Sequence, residues 1–126
     1  MNKTYVLAVG LLALTISQAI NAKPSPYDVM TQCTYLEMDI DELARSPIGS
    51  SNEECKQELL KSERPLEIAA EKLLYDKFEE SYQGVVESES HLLKIKDSWF
   101  KCSKLKWQLD SYLRRYELLK KDIKSL

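Results

Sequence analysis

Three cysteines, one histidine and a small group of carboxylates are the residues of this chain with the most chemistry to offer. Cys33, Cys55 and Cys102 form no Cys-x-x-Cys redox pair, and with His91 as the sole histidine they make an improbable zinc set. No serine, histidine and acid fall in an order that suggests a nucleophile with its base and orienting group. Asp39, Asp41 and Glu42 stand close together, but they read as one solvated helix face. A hard-cation site needs a loop that turns several oxygens inward. The expectation is therefore no catalytic residue, no metal ligand and no cofactor.

The cysteines point instead to cross-linking, because of what precedes them. Lys3 leads into an uncharged apolar run, Tyr5 to Ile16, broken only by Gly10 and Thr15. Small residues then allow cleavage after Ala19 or Ala22, and Lys23-Pro24 favours the second. The run is shorter than the about 20 apolar residues of a membrane-spanning helix. It has the three-part build of a secretory signal peptide. The expected organisation is a leader over 1–22 and a single secreted helical domain over 23–126, extracellular or, in a bacterium, periplasmic. In such an oxidising compartment three cysteines imply one disulfide and one remaining thiol.

Composition says how that domain is built. Glycine is scarce, with only Gly49 and Gly84 after the leader, and Leu, Glu, Lys and Ala dominate. The first helix is expected from Pro26 to Ala44, capped by Ser25, with Val29, Cys33, Leu36, Ile40 and Leu43 as its apolar stripe. Ser46-Pro47-Ile48-Gly49-Ser50 ends it. The second is expected to begin at Ser51 or Asn52, with Ser51 and Glu54 as a capping box, and to end near Gln83-Gly84, with Pro65 kinking or splitting it. The third is expected from Val86 to Lys124, with Leu92, Ile95, Trp99, Cys102, Leu105 and Leu109 opening one apolar sector. These make an all-α, up-down-up three-helix bundle; the alternative is an extended helical hairpin that completes its core by oligomerising.

That bundle serves as a ruler for the cysteines. Cys33 lies eleven residues before Ala44, level with Arg64; following the second helix to Gln83 and back up the third reaches the same level near Leu105. Cys102 is then only about 4–5 Å away along the axis, within reach of a bridge. Cys33–Cys102 is the expected disulfide and Cys55 the free thiol, available to join two chains as a homodimer. Cys33–Cys55 requires the first helix to end early, and a third possibility is no bond at all.

Charge divides along the chain. Residues 23–93 carry 16 acids and 7 bases, whereas residues 94–126 carry 10 bases and 4 acids. On the basic C-terminal helix a second apolar line lies off the main stripe: Leu93, Phe100, Trp107 and Leu118, with Arg114 beside it. It reads either as an exposed aromatic-basic strip or as a second buried face of a helix that touches both others. Nucleic acid is not an expected ligand, since the mature chain is net acidic and carries no recognition motif.

Leu92 to Cys102, Leu-Leu-Lys-Ile-Lys-Asp-Ser-Trp-Phe-Lys-Cys, resembles the Trp-then-Cys helix of small secreted lysozyme-inhibitor-type domains. The resemblance covers about a tenth of the chain. Its Trp-to-Cys spacing is shorter than in those domains, and its upstream cysteines are further apart. What it implies is a small secreted inhibitor. The residues themselves lead to a secreted, non-enzymatic binding protein that engages an unknown protein partner through Leu93, Phe100, Trp107, Arg114 and Leu118. The alternative is association with an anionic lipid surface or polyanion.

Overall fold

The computed structural model describes residues 23–126, excepting the side chains of residues 99 and 100. The expected leader over 1–22 lies outside the described residues. The described residues form four long helices, α1 (Pro26–Arg45), α2 (Glu53–Leu74), α3 (Phe78–Asp97) and α5 (Lys106–Lys124), with a single-turn α4 (Trp99–Cys102) at the last corner. Short 3-10 turns cover Gly49–Ser51 and Ser103–Leu105. The all-α class holds, and no strand occurs among the described residues.

Helix α1 forms where its sequence places it. Ser25 Oγ accepts from the Asp28 N–H and Asp28 Oδ2 accepts from the Ser25 N–H, each at 3.1 Å, closing a reciprocal cap ahead of Pro26. All five residues of the expected apolar stripe are buried. The cap of α2 differs from expectation. Asn52 Oδ1 accepts from the Cys55 N–H at 3.2 Å, while Ser51 turns back and donates to the Ile48 carbonyl. Gly49 makes this corner possible, because a Cβ there would collide with the Leu43 carbonyl.

Two helix boundaries depart from expectation, and together they turn three helices into four. The first is the α2–α3 turn, which comes at Tyr75–Lys77 rather than at Gln83-Gly84. Asp76 takes φ 55°, a left-handed conformation that Asp tolerates better than most side chains, and the Lys77 N–H closes on the Lys72 carbonyl at 3.0 Å. The second break, at Ser98–Leu105, divides the expected third helix. Unbroken from Val86 to Lys124 it would be nearly 60 Å long, about twice the length of α1 or α2. Folding back instead buries Leu109, Tyr116, Leu119 and Ile123 against the other helices. Pro65 does not split α2; it sits buried within it.

Paired side chains give the register. Ser88 Oγ donates to the Ser62 carbonyl at 2.6 Å and Ser81 Oγ to the Ala69 carbonyl at 2.8 Å, so α2 and α3 run antiparallel. Lys120 with Glu89 and Lys96 with Asp110 set α3 against α5 in the same sense. Tyr112 and Arg115 meet Asp39, which closes α5 onto α1. Small residues line the α2–α3 seam: Ser62, Ser81, Gly84 and Ser88 are all buried. Tyr116 reaches across from α5 to hydrogen-bond Ser88 Oγ at 2.5 Å. Burial pushes the Tyr116 phenol well above its ordinary range, and the Ser88 and Ser62 contacts only partly offset that.

Candidate interaction surface

The disulfide joins Cys55 to Cys102, with Cα atoms 6.0 Å apart, and corrects the expected Cys33–Cys102 pair. The cause is the early α2–α3 turn. The Ser62–Ser88 and Ala69–Ser81 pairs put Cys55 level with Ile95, in the last turn of α3. Cys102 follows in the corner directly above. Cys55 is therefore neither a free thiol nor a link to a second chain. The free cysteine is Cys33, which is fully buried on α1. Burial first, and the nearby Glu37 carboxylate second, push its thiol up to about 12, so it is unreactive at neutral pH.

Beside the disulfide lies an open groove of about 580 Å³ lined by Glu53, Glu54, Glu58, Lys61, Lys94 and Lys101 among others. Lys101 Nζ and Glu54 Oε2 pair across it at 2.6 Å. His91 Nδ1 lies 2.7 Å from Glu58 Oε2, with both side chains partly buried. Burial pushes the Glu58 carboxyl up, but the His91 hydrogen bond and the Lys61 charge outweigh it and hold it below its usual range. A carboxylate-oriented imidazole needs a nucleophile on its other nitrogen to do covalent chemistry. Among the described residues no hydroxyl or thiol hydrogen-bonds there. Nor, among the described residues, does any group of three His, Cys, Asp or Glu side chains gather to hold a metal ion.

The α1–α2 interface carries a second cluster of charge. Glu37, Asp41 and Arg45 face Glu63, Arg64 and Glu67. Desolvation, then the hydrogen bond and negative charge of Asp41, then Glu37, raise the Glu63 carboxyl to about 7 against the opposing charge of Arg45. A raised carboxyl stabilises the fold in its protonated form. That contribution is complete below the unfolded value of 4.5 and is lost as pH climbs through about 7. The protein is therefore expected to be less stable at about pH 8 than at about pH 5, by on the order of 1 kcal/mol once solvent screening is allowed for. Urea unfolding at the two pH values checks this. In Glu63→Gln the difference should shrink, and an unchanged difference assigns it to other groups.

The sequence-predicted strip divides between two helices. Trp107, Arg114 and Leu118 fall on one face of α5, at spacings of seven and four residues, with Trp107 85% and Leu118 50% exposed. This face is outward; the buried face of the same helix is Leu109, Tyr116 and Ile123. Leu93, 42% exposed, belongs to α3 and joins Arg114 across the shallow α3–α5 groove. Phe100 lies outside the described side chains. Lys106, Arg114 and Lys121 are exposed and make no ion pair among the described residues.

No known protein family matches this chain, and neither does any curated protein or solved structure. The surface must be read from its own chemistry.

That reading includes residues not singled out beforehand. On α1, Tyr27 (70%), Tyr35 (59%) and Met38 (58%) are exposed, interleaved with Thr31 and Thr34. Their spacings of eight and three residues form a line parallel to the buried stripe, which was the available signal. The acids that follow them, Asp39, Asp41 and Glu42, made this helix read as a solvated face.

Proposed function

We propose that this protein is a secreted, non-enzymatic helical module that binds another protein through the outer face of α5. The observation that carries the reading is Trp107, almost fully exposed on a helix held by core packing on its opposite side. A large aromatic offered from a rigid element loses little entropy on docking, and such residues anchor interfaces when a partner pocket covers them. Leu118 extends the apolar contact, and Arg114 between them supplies a planar donor to a carboxylate or carbonyl. Secretion is supported by the leader-like first residues and by the Cys55–Cys102 bridge.

The expected result for Trp107→Ala is loss of partner binding with unfolding stability within about 0.5 kcal/mol of the parent, as for other surface substitutions. A large loss of stability places Trp107 in the packing and removes the anchor. The free cations Lys106, Arg114 and Lys121 give the second reading its own observation: an anionic lipid surface or polyanion as ligand. Salt separates the two. Binding that collapses between about 50 and 500 mM salt is electrostatic, whereas a packed aromatic contact persists.

A further inference from the structure

The two flanks of α5 differ in charge. Toward α1, Arg115 is held by Asp39, and Asp122 stands beside Tyr27 and Asp28. Toward α3, Lys106 and Arg114 line the groove between the helices, and Lys121 turns to the same side of α5. Three acids also line that groove, each with a groove lysine beside it. Asp110 lies 4.0 Å from Lys96, while Glu89 and Glu117 both reach Lys120. Lys106, Arg114 and Lys121 make no ion pair among the described residues, so the groove is left net positive.

Its floor is apolar. At the disulfide corner a hollow of about 260 Å³ opens between Ile95, Cys102 and Leu109. One leucine or phenyl side chain fits there, since an apolar cavity of roughly 150 Å³ is enough for benzene. Past the Lys96–Asp110 pair a shallower trough continues over Leu93 and Leu113. Leu93 is the large apolar side chain that α3 leaves exposed. Trp107 stands on the rim, seven residues before Arg114 on the same line of α5. From Lys106 to Lys121 is fifteen residues, so cations and apolar floor run together for about 22 Å, or about four helical turns.

We infer that the partner protein presents an acidic amphipathic helix, which lies lengthwise in the α3–α5 groove. One large apolar side chain of that helix enters the hollow at Ile95, Cys102 and Leu109. Its apolar neighbours, three and four residues on, cover Leu93 and Leu113. Carboxylates on the adjoining faces meet Lys106, Arg114 and Lys121. In such a contact the apolar face carries the affinity, and the charges select the partner and fix its register. A polyanion without apolar side chains uses the cations and leaves the floor uncovered. This inference rests on the reading of α5 as a docking surface and names the chemistry of what docks there.

Selection from an unbiased helical-peptide display library on the disulfide-intact mature chain tests it. Enriched sequences are expected to carry apolar residues three and four apart, with Asp or Glu on the adjoining faces. Leu93→Asp and Arg114→Glu should each weaken the best enriched peptide, made synthetically, about tenfold or more while the circular dichroism and unfolding midpoint stay put. Exchanging the facing acid of that peptide for lysine should recover most of the Arg114→Glu loss. No enrichment, or enriched peptides without acids, overturns the acidic helix. Acids without apolar positions overturn it in favour of a polyanion, and a doubled mass in sedimentation without peptide does so in favour of a second copy. If Leu93→Asp changes nothing while Trp107→Ala abolishes binding of the same peptide, docking on α5 stands and only the groove falls.

Discussion

Replacing Cys55 and Cys102 together by alanine is expected to lower unfolding stability by about 4 kcal/mol, the chain-entropy value for a bridge closing a loop of this size. The two cysteines are 47 residues apart in sequence, and the loop they close contains most of α2 and all of α3. Without the bond the unfolded chain regains the freedom of that loop. Among the described side chains, the corner from Ser98 to Leu105 is otherwise held chiefly by Lys101 with Glu54 and by the burial of Leu105. The melting point should fall by roughly 20 °C for a domain of this size. Reduction of the parent protein should reproduce the effect, while Cys33→Ala should leave the oxidised chain cross-linked. Peptide mapping is the direct check: a fragment joining Cys33 to Cys102 contradicts the register described above, and a stability loss below about 1 kcal/mol contradicts the loop argument.

The miss at the cysteines shows where the sequence was legible and where it was not. Periodicity located the buried faces of α1, α2 and α5, because Val29 to Leu43, Leu59 to Leu73 and Leu109 to Ile123 each recur at helical spacing, whereas on α3 it found only Leu92 and Ile95 and missed the small buried residues Ser81, Gly84 and Ser88. The Ser25–Asp28 cap was legible for the same local reason. Boundaries without punctuation were not. The α2–α3 turn is made by Leu74-Tyr75-Asp76-Lys77, with neither glycine nor proline, and its left-handed residue is an aspartate. The real glycine lies eight residues beyond Asp76, inside α3, and it drew the expected turn to itself. Moving a hairpin turn by that much shifts each residue of the returning helix by about twice as far, roughly 25 Å or nearly five turns, enough to exchange one disulfide partner for another. At the docking surface, Trp107, Arg114 and Leu118 were visible as a line on α5. Whether that line faced solvent depended on how many helices surround the core, which no local pattern encodes.

Gly84 carries the other large expected effect. It faces the backbone of α2 at the level of Pro65, where an added Cβ would sit 2.9 Å from the Pro65 carbonyl oxygen and 3.1 Å from Ala69 Cβ. The obstruction is backbone, so it does not swing aside as a flexible side chain does. The neighbouring seam is equally close: Ser81 and Ser88 hydrogen-bond directly to the carbonyls of Ala69 and Ser62, and both contacts require the two helices to stay together. A larger residue at position 84 must push α3 away and strain those bonds together. Gly84→Leu is therefore expected to destabilise by about 3 kcal/mol or more, the upper range for overpacking, despite the better helix propensity of leucine. Gln83→Leu, one residue earlier on the exposed side of α3, should stay within about 0.5 kcal/mol of the parent. Chemical unfolding of the pair decides the matter: equal midpoints for the two variants mean that α2 and α3 do not cross closely at Gly84, while a loss confined to position 84 locates the crossing that sets the register of α3 and, through it, the height at which Cys102 meets Cys55.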